Sequence, residues 1–148
     1  MNAHEDELGP IDIVVIAYPA DAPKTGEAVP IFMDLVQRGI VRVLDVMFIT
    51  KDQDGTFSGF DAKDLDEDSV GDFTVFAGAS SGLLGQEDVE TAAEAIEPGS
   101  AAVMIVYENH WAAPFIGAVH RNGGRVVAAE RIPAQDLLDA LDAAEAAG

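Results

Sequence analysis

Residues 28–43, AVPIFMDLVQRGIVRV, align without a gap on residues 112–127, AAPFIGAVHRNGGRVV. Ala28/Ala112, Pro30/Pro114, Gly39/Gly123 and Val43/Val127 are identical, and Ile31/Phe115, Phe32/Ile116 and Leu35/Val119 stay apolar in step. A β-rich run precedes each copy: IDIVVIAY ending at Tyr18 and SAAVMIVY ending at Tyr107. Each copy reads strand, loop, helix, glycine, strand, a βαβ grammar that duplication or convergence could produce. The pseudo-repeats cover about 11–50 and 100–131, with a connector over 51–99 between them.

Outward from these units, the local signals fill in the rest. Residues 11–18 form a near-continuous apolar run and read as a central strand. Apolar positions 28, 31, 32 and 35 follow the i, i+3, i+4, i+7 rule, so a helix is predicted over 28–38 with Gly39 just past its end. Strand 41–50 is followed by Asp54-Gly55 and a second β-rich stretch, 56–60, a strong hairpin signal. Residues 70–85 fit either a short strand or a helix, and the rhythm of Val70, Phe73, Ala77 and Leu84 favours the helix. A clearer helix spans 87–96, with Val89, Ala92, Ala93 and Ile96 on one face. The second unit predicts strand 101–107, helix 111–121 with Asn109 as a possible cap, and strand 125–130. Pro133 opens a last helix to about 145, with Leu137, Leu138 and Leu141 inward and Asp136, Asp139 and Asp142 toward solvent.

These elements predict an α+β fold, a two-layer α/β sandwich built on a ferredoxin-like split-βαβ sheet with helices on one face. The alternative is a small doubly wound α/β sheet. A length of 148 residues fits one domain, here 10–148, after an acidic arm over 1–9 that is expected to be disordered.

Composition narrows the function classes. The chain carries 27 acidic against 8 basic residues, a net charge of −19, which repels phosphate backbones and anionic lipid, so no nucleic-acid partner is expected. The charge is read first as serving solubility, and second as suiting a basic partner or cation buffering. No apolar run approaches the ~20 residues of a membrane span, and the acidic start is unlike a secretory signal. Zero cysteines remove disulfides, thiol catalysis and thiolate metal sites. The expected location is the cytoplasm.

Motifs with chemical content are sparse. Gly78-Ala79-Ser80-Ser81-Gly82 matches G-x-S-x-G, with Glu108 and His110 or His120 downstream in the order a hydrolase needs. The helical reading of 70–85 places Ser80 off the required strand-to-helix turn, and small residues there equally serve close packing. Asp52-Gln53-Asp54-Gly55 resembles a fragment of a calcium loop but lacks its later ligands, and the acidic run 61–72 reads as a solvated connector. His4, His110 and His120 have no metal-site spacing, so no metal or other cofactor is expected. Glu108-Asn109-His110-Trp111 gathers acid, imidazole and indole at a strand-to-helix junction, a place where α/β sheets hold ligands. The plain alternative is a capped helix with Trp111 pinned into the core. Asp45, inside an apolar strand, needs a partner if buried, with Arg42 and Arg131 as candidates.

The segments Glu97-Pro98-Gly99-Ser100-Ala101-Ala102, Tyr107-Glu108-Asn109-His110-Trp111-Ala112, Gly123-Gly124 and Arg131-Ile132-Pro133 resemble a family of small acidic proteins of unknown function common in actinobacteria. The opening Gly9-Pro10-Ile11-Asp12-Ile13-Val14-Val15-Ile16-Ala17, together with Gly82-Leu83-Leu84 and Glu87-Asp88-Val89-Glu90, extends the likeness over nearly the whole chain. Distant relatives with a longer glycine-rich apolar insert are labelled membrane or stress proteins, while the corresponding 77–85 here is too short to span. The resemblance implies no activity, cofactor or catalytic residue.

The leading expectation is therefore a non-enzymatic, self-associating domain, stress-related or an adaptor, with a further protein partner open. The second is a small-ligand binder or minor enzyme using the loops after Tyr18 and Tyr107, with Tyr18, Tyr107, Glu108, Asn109, His110 and Trp111 as binding residues. In a ferredoxin-like sheet these loops fall at opposite ends, as two half-sites. The third is a serine hydrolase through Ser80, with Glu108 and His110 as weak catalytic candidates.

Overall fold

In a computed structural model describing residues 8–22, 27–61 and 81–147, a four-stranded antiparallel sheet has the order β1-β4-β2-β3. Its strands are β1 (Ile11–Tyr18), β2 (Arg42–Lys51), β3 (Phe57–Asp61) and β4 (Ala101–Glu108). The helices are α1 (Ala28–Gln37), α2 (Gln86–Ala95), α3 (Ala113–Arg121) and α4 (Ala134–Ala147), with a 3-10 turn at His110–Ala112 before α3. The arm 1–7 with His4, and residues 23–26 and 62–80 with Ser80, lie outside the described residues.

The α+β class holds and the antiparallel pairing excludes the doubly wound alternative. β1 and β2 run parallel with β4 between them, so the first crossover is split. Strands two and four occupy the centre, whereas a ferredoxin-like sheet centres one and three, so that label is not carried further.

The expected two layers become three, because α1 and α2 pack on opposite faces. Val46, Phe48, Val103 and Ile105 form a core with Phe32 and Met33 of α1. Ile49, Ala102, Met104 and Val106 form another with Val89, Ala92 and Ala93 of α2. The physical cause is in β2 and β4 themselves: both are apolar at odd and even positions, so both faces need cover.

Three other elements depart from expectation. β1 is an edge strand, paired only with β4 among the described residues. Residues 125–130 are irregular and exposed instead of a strand, and they pair with neither of the two edge strands, β1 and β3. Leu137, Leu138 and Leu141 of α4 are 51–59% exposed, so their stripe does not face the core of this chain.

Local chemistry explains the elements that do match. Gly39, at φ 72°, ends α1, with its N–H donated to Val36 O and that of Ile40 to Leu35 O. In the β2–β3 turn, Asp54 accepts from the Thr56 hydroxyl at 2.6 Å and its N–H at 2.9 Å. That carboxylate serves the hairpin rather than a cation. Lys51 Nζ donates to Ala93 O and Ile96 O at 2.7 and 3.0 Å, tying the end of β2 to the carbonyl end of α2.

Asp45 is buried, but neither arginine reaches it. A bulge at Leu44 shifts the β2–β4 register and places Asp45 opposite Val106 on the α2 face. There its carboxylate accepts from Leu84 N–H at 2.9 Å and Val46 N–H at 3.0 Å. A backbone amide from the segment leading into α2 takes the role expected of a cation.

Candidate functional site at the end of strand β4

Antiparallel pairing brings the end of β4 against the starts of β1 and β2: Glu108 lies opposite both Ile11 and Arg42. Alternation then sends Glu108 to one face of the sheet and Tyr107 to the other.

Glu108 is fully buried. Its Oε2 accepts from Gly9 N–H at 2.7 Å, and His110 Nδ1 stands 3.3 Å away. Oε1 lies 3.0 Å from Arg42 Nε without a well-directed hydrogen bond, an ion pair by proximity. Burial pushes the carboxyl upward, but the Gly9 amide, His110 and Arg42 outweigh it and hold the group below its ordinary range. Glu108 is therefore ionised at neutral pH and no proton donor. Gly9 is required here by close approach, since a Cβ would sit 2.0 Å from Asn109 O.

On the other face Asp12 accepts from Arg131 Nη2 at 2.5 Å and from Asn109 Nδ2 at 2.8 Å. Arg131 and then Asn109 hold its carboxyl below the ordinary range, and Asp12 raises the Arg131 guanidinium in return. Arg131 also donates to Tyr107 OH at 2.8 Å, and the Tyr107 ring meets Phe32 edge-on at 6.3 Å. Asn109 donates its backbone N–H to Pro10 O at 2.7 Å, so its side chain serves the chain start and not the helix cap.

Trp111 departs from the plain expectation. Its N–H donates to Ile40 O at 3.1 Å, yet the residue is 66% exposed instead of pinned into the core. With His110, Gly39, Pro114 and Arg121 it borders an open depression of about 410 Å³.

Of the residues singled out from sequence, Glu108 and His110 meet on one face, Tyr107 and Asn109 join Asp12 and Arg131 on the other, and Trp111 stands exposed beside His110 at the depression. Tyr18 joins none of these: it pairs with Ala101 at the other end of the sheet and borders an apolar cleft of about 260 Å³ with Ile16, Phe32 and Ile105. The two loops lie at opposite ends of the sheet. Ser80 falls outside the described residues. Among the described residues His110 bonds to Glu108 and to no hydroxyl, and no group of three His, Asp or Glu side chains is arranged to hold a metal. Gly9, Asp12 and the partner choices of Arg42 and Arg131 were missed from sequence, because they arise from strand pairing across about a hundred residues of chain. The arrangement is a clasp: it fastens residues 9–12, the start of β2 and the segment after α3 to the end of β4.

The chain belongs to a family of unknown function, DUF6325, whose model matches residues 7–147. No curated protein and no solved structure matches it. No helix among the described residues is long and apolar enough to cross a membrane.

Proposed function

We propose that this chain is a non-enzymatic domain that works by self-association, as an adaptor or stress-related scaffold in the cytoplasm, with no nucleic-acid partner. One observation carries the reading. β1 has the sequence of a strand covered on both sides, yet Ile11, Ile13 and Val15 on one of its faces are 41–58% exposed. A monomer seldom leaves so continuous an apolar surface in water. The clasp at Glu108 supports the same reading from the other side: its carboxylate is spent on holding the fold and is closed to substrate.

Size-exclusion chromatography with light scattering tests the proposal. The expected mass is a multiple of the 15.5 kDa chain at tens of micromolar. A strict monomer up to high micromolar concentration ends it.

A second reading is favoured by exposed Trp111 beside its depression: a small ligand stacks on the indole with His110 at hand. Indole fluorescence, from the chain's single tryptophan, reports it directly during titration with a fragment library. Saturable change lost in His110→Ala supports this reading, and no change across the library ends it.

A further inference from the structure

We infer that two copies associate by exchanging α4, each laying its leucine stripe on the uncovered Ile11–Ile13–Val15 face of the other's β1; this rests on the self-association proposed above. A four-stranded sheet is about 15 Å wide between outer strands at ~4.8 Å spacing, enough for two helices packed 8–10 Å apart. Among the described residues only one lies on its α2 face. Val89 of α2 lies against Gly59 of β3, so α2 covers the β2–β3 side and leaves the β1 side open.

α4 fits the vacancy in pattern and length. Ala134, Leu137, Leu138 and Leu141 follow i, i+3, i+4, i+7, with Asp136, Asp139 and Asp142 on the other side. Fourteen residues of helix span about 21 Å, close to the roughly 26 Å of an eight-residue strand. Every residue of α4 is exposed in the single chain.

The tether explains why the helix comes from a second copy. Arg131 is fastened to Asp12 and Tyr107, whose side chains project from the α1 face of the sheet. Only Ile132 and Pro133 separate it from α4, a reach of about 10 Å. The vacancy is on the opposite face, with a helix axis another ~10 Å beyond the sheet. Seating a chain's own α4 there would require the Arg131 side chain and the two-residue tether to run fully extended around the edge of the sheet. A partner's helix can enter with both anchors intact, and a two-fold arrangement fills both vacancies at once. The three β1 side chains and three leucines expose on the order of 500 Å² per chain, so mutual exchange buries about 1,000 Å² from these alone, the threshold of a specific interface.

The absence of native cysteine makes the test direct. Full-length Ile13→Cys is mixed with full-length Leu138→Cys, and separately Val15→Cys with Leu138→Cys, then oxidised and run without reductant. At least one mixture is expected to give a disulfide-linked pair, abolished by a further Leu141→Asp in the Leu138→Cys chain. In parallel, Ile13→Cys and Leu138→Cys are combined in one chain. A compact, internally bonded monomer from that chain, without linked pairs in the mixtures, shows docking within one copy and overturns the inference. No linkage in either mixture, with a dimer still seen by light scattering, also overturns it while leaving self-association standing. A monomer by light scattering removes the self-association reading as well.

Discussion

The β2–β4 centre of the sheet and its β1 margin are built from the same kind of sequence and end in different states. Val46, Ile49, Met104 and Val106 are buried, with α1 on one side and α2 on the other. Ile11, Ile13 and Val15, just as apolar, are half exposed and have no helix over them among the described residues, and the leucine stripe of α4 is half exposed as well. The contrast is between a centre covered on both faces and an edge that the described residues leave exposed on one, an edge proposed above to be completed by a second copy. Changes at the centre should act on the chain itself, at any concentration. Changes at the edge should act on association.

The largest expected effect sharpens the first half of that comparison. Glu108→Ala leaves Gly9 N–H and Arg42 without their partner and removes a buried side chain, at a cost of roughly 3 kcal/mol. The urea midpoint should fall by the same amount in dilute and concentrated samples. Next, at about 2 kcal/mol each, come Asp45→Ala, which orphans Leu84 N–H, and Gly59→Ala, whose Cβ would lie 2.9 Å from both Val89 methyls. If either shift vanishes at high protein concentration, the division between centre and edge is wrong.

Acid is a milder probe of the same clasp. Glu108 and Asp12 are held below the ordinary carboxylate range, so the folded state binds fewer protons than the unfolded chain. The stability they contribute is present above the unfolded values, about 4.3 for a glutamate and about 3.9 for an aspartate, and fades as pH falls toward their folded values. Urea midpoints between pH 7 and pH 3 should decline, less steeply in Glu108→Gln. An identical slope in that variant would show that other carboxylates govern acid unfolding.

Much of this division was legible in the sequence, and the failures are instructive. β1, α1, the hairpin, α2 and β4 follow from periodicity and turn chemistry that need no distant partner. The unbroken apolar runs in β2 and β4 already signalled cover on both faces, a clue set aside in expecting two layers. The β1 run carries the same signal, and there the described residues leave one face exposed. Residues 125–130 have strand composition, but composition alone does not bring a segment alongside the open edge of β1 or β3. At the clasp, the loop Glu108–Trp111 stood out by residue type, while Gly9 and Asp12 stayed invisible because pairing at long range brings them there.

Smaller effects belong to the edge. Leu138→Asp removes nothing buried in the single chain, so its unfolding free energy at high dilution should move by less than about 0.5 kcal/mol while the assembled mass drops to one chain. A large loss at high dilution would place α4 in the monomer core. The smallest is ionic. With a net charge of −19, sodium chloride should raise the melting temperature by a few degrees up to about 0.15 M, where the screening length is roughly 8 Å. Calcium or magnesium at equal ionic strength should add little, and saturable micromolar stabilisation would reveal a metal site instead.

The claim that one edge of this fold is completed by another copy is tested most directly by hydrogen exchange at two protein concentrations. Peptides from β2 and β4 should be protected equally at low and high concentration. Those from α4 should exchange freely when dilute and become protected when concentrated, together with β1. Free exchange throughout α4 at every concentration, or full protection of α4 at the lowest one, would contradict the account.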